Sequence, residues 1–178
     1  MTQKMSKYWR LLRYDLPLHF ILFLTNWLPD NAPFLRLRGA LAQPFFGTCG
    51  SNFRLGRNVT FYNPFRIHFG RDVYIAYGCW FLARDKIRIG NEVMFGPYVV
   101  LSTGNHTRLD GSFRFGPIKY LPISISDGAW IGAHSTILGG ASLGKGCLVG
   151  SNACVTRGNV PDNAFVAGVP AGLKQILE

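Results

Sequence analysis

A six-residue beat governs this chain from about Leu55 to Val155. In its clearest stretch Ile125, Ile131, Ile137, Leu143, Val149 and Val155 each open a unit, and a small residue stands four places on, at Ala129, Ser135, Ala141, Cys147 and Ala153. Neither helical nor strand periodicity produces a fixed period of this kind. A coil whose flat sides are each one hexapeptide long does, because it turns the same side chain inward at every sixth position. The beat therefore predicts a parallel β-solenoid in which each rung buries its apolar stack against the next.

The same beat runs earlier in the chain. Leu55, Val59 and Phe61 lead into Phe69, Val73, Ile75 and Phe81; a two-residue slip follows, and Ile89, Val93, Phe95, Val99 and Leu101 resume the register. Residues 103–121 ignore the period and then hand back to it. That segment is rich in Gly, Arg, Phe and Tyr and contains Asn105-His106. A long excursion from a regular solenoid points to function, since a purely structural connection would be short.

Bulk properties narrow the classes. A 178-residue chain that is 48% hydrophobic and only 16% charged is no disordered segment. The net charge of +10 is lopsided: residues 1–90 hold thirteen Lys or Arg against four acids, and residues 91–178 hold six against five. One end is thus expected to face something anionic. The cations form no reading helix and no aromatic platform, so nucleic acid is not the expected partner. Cys49, Cys79, Cys147 and Cys154 lack CxxC spacing and partner histidines, which predicts reduced structural thiols. No three-histidine set can be assembled around His106, with His68 and His134 as the remaining candidates, and no metal site is expected.

Residues 1–50 differ in character. Lys4, Lys7, Arg10 and Arg13 precede an apolar run from Leu16 to Leu28, shorter than the roughly twenty residues that span a bilayer. Two readings remain open: a helix that caps the solenoid's first rung, where unpaired strand edges need cover, or an interfacial helix with a basic collar that contacts a membrane peripherally through residues 1–30.

The hexapeptide units, the Gly104-Asn105-His106 of the excursion, the Ala-Trp-Ile-Gly-Ala of residues 129–133 and the Ala-Gly-Val-Pro-Ala of residues 167–171 together resemble the hexapeptide-repeat O-acetyltransferases, relatives of the galactoside, maltose and polysaccharide acetyltransferases. The resemblance runs from about Leu55 to Pro170. It implies a mainly β fold, a left-handed parallel β-helix with an N-terminal helical cap and a short C-terminal tail. It also implies a homotrimer that binds acetyl-CoA in a groove between neighbouring solenoids. The corresponding division is residues 1–50 for the basic and apolar helical segment, 51–160 for the β-helix with its excursion at 103–121, and 161–178 for a cofactor-binding turn and tail.

His106 is the residue best suited to the chemistry. Acyl transfer to a hydroxyl needs a base that removes the proton as oxygen attacks the thioester, and a neutral imidazole serves near neutrality. No Cys or Ser stands in a nucleophile motif, so direct transfer is expected. The resemblance implies an oxyanion donor at the backbone of Ala133, a pantetheine contact at Trp130, and further cofactor contacts at Ser151, Thr156, Arg157, Gly168, Pro170 and Lys174. It also departs from the family pattern. Where relatives carry basic residues after the Gly-x-Pro-Ala turn, this chain has Gly172 and Gln175, with Lys174 the only cation. Acceptor contacts fall to Asn105, Tyr77 and Trp80, and no early-coil Asn matches the family's.

The function expected is acetyl-CoA-dependent O-acetylation of a saccharide hydroxyl in surface polysaccharide or glycolipid assembly. The place expected for it is the cytoplasm, at the inner face of the cytoplasmic membrane. N-acetylation of an amino sugar or antibiotic, or a non-catalytic solenoid scaffold, are the alternatives.

Overall fold

A computed structural model of the chain describes residues 6–178. Helices come first. A rod runs from Lys7–Arg10 through a π-helical turn at Leu11–Asp15 into Leu16–Thr25, and a second helix spans Ala32–Ala42. Each has an oxygen cap: the Ser6 hydroxyl accepts from the Trp9 N–H at 3.1 Å, and the Asn31 side chain from the Phe34 N–H at 3.3 Å. No described helix is long and apolar enough to cross a membrane.

From Thr48 onward the chain winds into three sheets whose parallel strands of two to four residues are separated by corners. The first sheet takes Thr48–Cys49, Ile67–Phe69, Ile87–Ile89, Ile123–Ile125, Ala141–Leu143 and Gly158–Val160. The second takes Arg54–Leu55, Tyr74–Ile75, Met94–Phe95, Trp130–Ile131, Leu148–Val149 and Ala164–Ala167, and ends with Gly172–Ile176 added antiparallel. The third takes Thr60–Tyr62, Trp80–Leu82, Val100–Ser102, Thr136–Leu138 and Cys154–Val155.

Register explains both the beat and its slip. In the early coils Phe69 pairs with Ile89, twenty residues later, and Ile75 with Phe95. In the late coils Ile125 pairs with Leu143, and Ile131 with Val149, eighteen residues apart. The two additional residues sit at the corner between the third and first sheets, where Pro64–Arg66 forms a short 3₁₀ turn in the first coil. Every hexapeptide-opening residue from Ile125 to Val155 is buried, as are the small residues Ala129, Ser135, Ala141, Cys147 and Ala153. Burial pushes the Cys147 thiol up to about 11 and those of Cys49 and Cys79 up to about 12, so these thiols stay protonated and unreactive near neutrality.

The core tapers along the axis. At the helical end it is aromatic: the Phe46 ring meets Phe53, Phe61 and Phe69 edge-on at 5.7, 4.9 and 5.0 Å, and Phe61 stacks on Phe81 at 5.1 Å. Leu18 and Leu22 join this cluster from the helical rod, so the helices close the first coil. Gly39 is needed there, because a Cβ would stand 1.9 Å from the Phe53 carbonyl oxygen. Arg38 locks the arrangement. Fully buried, it donates to the carbonyls of Leu55, Thr25 and Leu28 at 2.7, 3.1 and 2.9 Å and to the Asp30 carboxylate at 3.0 Å. Asp30 in turn accepts from the Arg57 N–H of the first coil at 3.1 and 3.2 Å.

Candidate active site

The excursion forms a projecting antiparallel hairpin. Gly104–His106 pairs with Ile118–Tyr120, with Asn105 opposite Lys119 and His106 opposite Ile118. It leaves the solenoid at the corner between the third and first sheets, and its root is fixed. The buried Thr103 hydroxyl donates to the Leu82 carbonyl at 3.0 Å and accepts from the Asp85 N–H at 2.9 Å. The Leu121 N–H closes the base on the Thr103 carbonyl at 2.9 Å. On the next coil Gly139 leaves room, since a Cβ there would stand 2.9 Å from both the Thr103 and Leu121 carbonyl oxygens. His106 is exposed near the start of this hairpin, and its ring has no hydrogen-bond partner among the described residues.

A cleft of about 400 Å³ opens beside the root, lined by Asn105 and Lys119 of the hairpin, Leu138 and Gly139 of one coil, and Thr156 and Arg157 of the next. Asn105, Thr156 and Arg157, three of the residues singled out from sequence, thus share one cavity with His106 adjacent to Asn105. Lys119 and Arg157 make it cationic and suited to an anionic group. Lys119 is, with Arg108 and Arg114, a cation of the excursion that the sequence offers to an anionic acceptor; Leu138 and Gly139 have no such signal, and only their place at successive turns of one corner could have pointed to them.

A second group of candidate residues lies elsewhere on the surface. Trp130 projects from the second sheet, half exposed, between Met94 and Leu148 on the neighbouring rungs. Ala133 and Ser151 stack at the next corner, between the second and third sheets, joined by the Asn152 N–H donating to the Ala133 carbonyl at 2.9 Å. The N–H groups of Ala133 and Ser151 have no acceptor among the described residues and are free to donate to a ligand. That corner and the hairpin corner stand at opposite ends of the third sheet. At about 3.3 Å per residue, the span from Ala133 to Gly139 is on the order of 15–20 Å. Within one chain, then, His106 does not meet Ala133 or Trp130.

The remaining candidates divide as follows. The turn through Gly168 and Pro170 packs on the last strand of the third sheet, where the Cys154 N–H donates to the Gly168 carbonyl at 3.0 Å and the Ala171 N–H to the Cys154 carbonyl at 2.8 Å. Lys174 lies on the antiparallel edge strand, exposed and away from the cleft. Tyr77 occupies the corner below Tyr98, and Trp80 projects from the third sheet two rungs below Thr136. Of the early aromatics, Phe81 and Phe95 fill the core, while Trp80 and Tyr98 are exposed. Among the described residues, no three His, Cys, Asp or Glu side chains are grouped to hold a metal ion.

One corner column carries backbone strain that the sequence did not announce. Tyr98 and His134 hold left-handed φ values of 58° and 57°, where bulky residues are uncommon, and their rings stack at 4.9 Å. The rung below provides Gly78, whose missing Cβ would lie 2.6 Å from the Tyr98 ring.

Known proteins share this chain's repeat and its fold. Residues 122–157 match the family described as bacterial transferase hexapeptide (six repeats). A putative acetyltransferase of Dictyostelium discoideum is 35% identical over 138 residues, covering 75% of this chain and 70% of that protein. The galactoside O-acetyltransferase of Escherichia coli K12 is 31% identical over 133 residues, covering 75% of this chain and 65% of that one. The crystal structure of a hexapeptide-repeat acetyltransferase from Vibrio cholerae complexed with acetyl-CoA superimposes with a TM-score of 0.82 at 25% identity, covering 100% of this chain and 93% of that one. Against several curated relatives the chain spans 51–65% of their length.

Proposed function

Because this chain belongs to the hexapeptide-repeat acetyltransferase family, whose fold is the left-handed β-helix, we propose that it transfers an acetyl group from acetyl-CoA to a saccharide hydroxyl. The observation that carries this reading is the cleft where Asn105, next to His106, comes together with Thr156 and Arg157. It brings Asn105, the chain neighbour of His106, together with the cations Lys119 and Arg157, and the relatives of this scaffold include a galactoside O-acetyltransferase and a structure holding acetyl-CoA.

The reaction follows from the residues. The neutral imidazole of His106 accepts the proton of the acceptor hydroxyl as that oxygen attacks the thioester carbonyl. The carbonyl oxygen takes on negative charge and is met by the free N–H of Ala133. Collapse breaks the carbon–sulfur bond, and the departing thiolate recovers the proton from the imidazolium. No acyl-enzyme is formed. Arg157 and Lys119 hold phosphate oxygens as charged donors, and Trp130 offers a flat face to the pantetheine arm.

The reaction needs more than one copy of the chain. His106 and Ala133 belong to opposite corners of the third sheet, so a base from one copy serves an oxyanion donor on its neighbour. A homotrimer, in which each solenoid meets two others, completes three such sites. Asn105 is assigned to the acceptor; Trp80 stands on the rung directly beneath the Val100–Ser102 strand that leads into the hairpin, and Tyr77, at the corner on the far side of the third sheet, is assigned to the acceptor of a neighbouring copy. The acceptor is assigned to surface polysaccharide or glycolipid assembly. The test is free-thiol release from acetyl-CoA over a panel of sugars, nucleotide sugars and lipid-linked glycans, with His106→Ala in parallel. Turnover that needs both an acceptor and His106 is expected. Turnover unchanged in His106→Ala would overturn the base, and turnover only with amino-sugar acceptors would replace O-transfer by N-transfer.

A further inference from the structure

The helices that close the solenoid bury one side and expose the other, and the exposed side is apolar. Leu18, Leu22 and Thr25 of the rod face the first coil and are buried. The outward positions, spaced three and four apart, read Trp9, Leu12, Leu16, Phe20, Phe23 and Trp27. Leu16, Phe20 and Phe23 share one face of the Leu16–Thr25 helix, Trp9 and Leu12 precede it through the π-helical turn, and Trp27 stands in the turn just after it. Their exposures are high: 55% for Trp9, 62% for Leu12 and Phe20, and 76% for Phe23 and Trp27. The second helix adds Leu37 and Leu41, exposed one turn apart and about 100° round the helix from buried Arg38 and Ala42. A soluble protein rarely leaves an apolar face this continuous without something to cover it.

Charge and composition indicate what covers it. Exposed Lys7, Arg13 and Arg36 and half-buried Arg10 belong to these same helices. Their acids are few. Asp30 is occupied by Arg38 and Arg57, and Asp15 is half-buried, with burial holding its carboxyl above the usual range. The Arg10 guanidinium lies 5.3 Å over the Phe65 ring of the first coil, and that of Arg13 lies 4.9 Å over Tyr14, which holds both charges beside the helix. Tryptophans close both ends of the stripe, and indole rings favour the boundary between water and acyl chains. A face that is apolar down its middle, aromatic at its ends and cationic at its rim complements an anionic lipid surface. Its direction fits as well. The stripe points away from the first coil, so a membrane would meet the solenoid end-on and leave its three sheets free.

We propose that the helices of residues 7–42 lie in the interface of an anionic bilayer, with Trp9, Leu12, Leu16, Phe20, Phe23 and Trp27 inserted. The inference does not rest on the acyltransferase reading, and it is tested without acetyl-CoA. The full chain is floated with vesicles of phosphatidylcholine alone and of phosphatidylcholine mixed with phosphatidylglycerol, at low and at high salt. The chain is expected to float with the anionic vesicles and to be released as salt rises. The Phe20→Glu/Phe23→Glu variant is expected to stay unbound with its melting temperature unchanged, because both side chains are exposed. Should that double variant fold poorly, Phe23→Ser alone gives the same reading through weakened flotation. Absence of flotation with anionic vesicles at low salt overturns the proposal, as does flotation that the stripe variants leave intact. A fall in the molar mass of the assembly in the stripe variants, with vesicle binding unchanged, would assign the stripe to a second copy of the chain instead.

Discussion

The Thr103 hydroxyl, buried at the root of the hairpin that carries His106, accepts the Asp85 N–H at 2.9 Å across the corner. It donates in the other direction to the Leu82 carbonyl at 3.0 Å. This hydroxyl ties the one irregular segment of the solenoid to the rung beneath it. Thr103→Val keeps the shape and removes both hydrogen bonds, leaving the Asp85 N–H without its acceptor. A loss of about 1–3 kcal/mol in unfolding free energy is expected. If the hairpin positions the base, kcat falls while CoA affinity is kept; denaturant titration and steady-state kinetics on one preparation measure both.

His106→Ala is expected to lower kcat by about 10²–10⁴-fold, the usual contribution of a positioned general base. Acetyl-CoA binding should be unchanged, since His106 lies outside the residues assigned to the cofactor. Calorimetric titration with CoA, run beside the thiol assay, separates loss of chemistry from loss of binding. Loss of CoA binding together with rate would reassign His106 to the cofactor.

Arg38 is the tie between cap and solenoid. Arg38→Met removes a buried cation that serves three carbonyls and leaves the Asp30 carboxylate with only its first-coil contacts. Breaking one partner of a buried ion pair costs about 3–5 kcal/mol. The expected result is a lower melting temperature and earlier proteolysis within residues 26–31, between the two helices. An unchanged melting temperature would show that the cap closes by apolar contact alone.

Position within the rung sets the cost of a charge. Ile137 and Val149 are fully buried, while Lys145 stands at a corner and is exposed. Ile137→Asp or Val149→Asp buries an unpaired carboxylate between rungs and is expected to cost several kcal/mol. Lys145→Asp should fall within about 0.5 kcal/mol of the parent, as surface changes do. Equal shifts in thermal melting for the two classes would refute the inward assignment.

Acid should find His68. Partial burial, with Arg88 and Lys86 nearby, holds its imidazole below the ordinary value of 6.5. A histidine depressed in the folded state is protonated first in the unfolded chain. Its effect is absent above about pH 6.5, and stability is lost as the pH falls from there through the folded value. His68→Gln removes this dependence while the amide can still reach the Thr48 hydroxyl, which lies 3.1 Å from His68 Nδ1. Melting temperatures of the two proteins should diverge at high pH least and at low pH most, and parallel curves would exclude the effect.

The beat in the sequence was enough to specify the inward residues. Burial at every sixth position and at the small residue between is what a hexapeptide side requires, and Ile125 to Val155 obey it. The slip near residue 83 is legible in hindsight as a wider corner, because a corner tolerates inserted residues that a strand pairing on both edges does not. The excursion could be seen as an interruption, and His106 as its chemically capable residue. Its hairpin pairing could not, since residues 103–121 alternate too weakly to announce two strands.

What the amino-acid sequence determined by itself was therefore the repeat: a local rule, restated every six residues, that needs no knowledge of the rest of the chain. The tertiary structure alone decided which corners share a face. It put Asn105 beside Thr156 and Arg157, separated His106 from Ala133 by the width of a sheet, and left the stripe from Trp9 to Trp27 uncovered. These depend on the phase of each coil relative to its neighbours. A lengthened corner, such as the one before Ile67, is absorbed where it stands, so that Phe69 still pairs with Ile89 and Ile75 with Phe95.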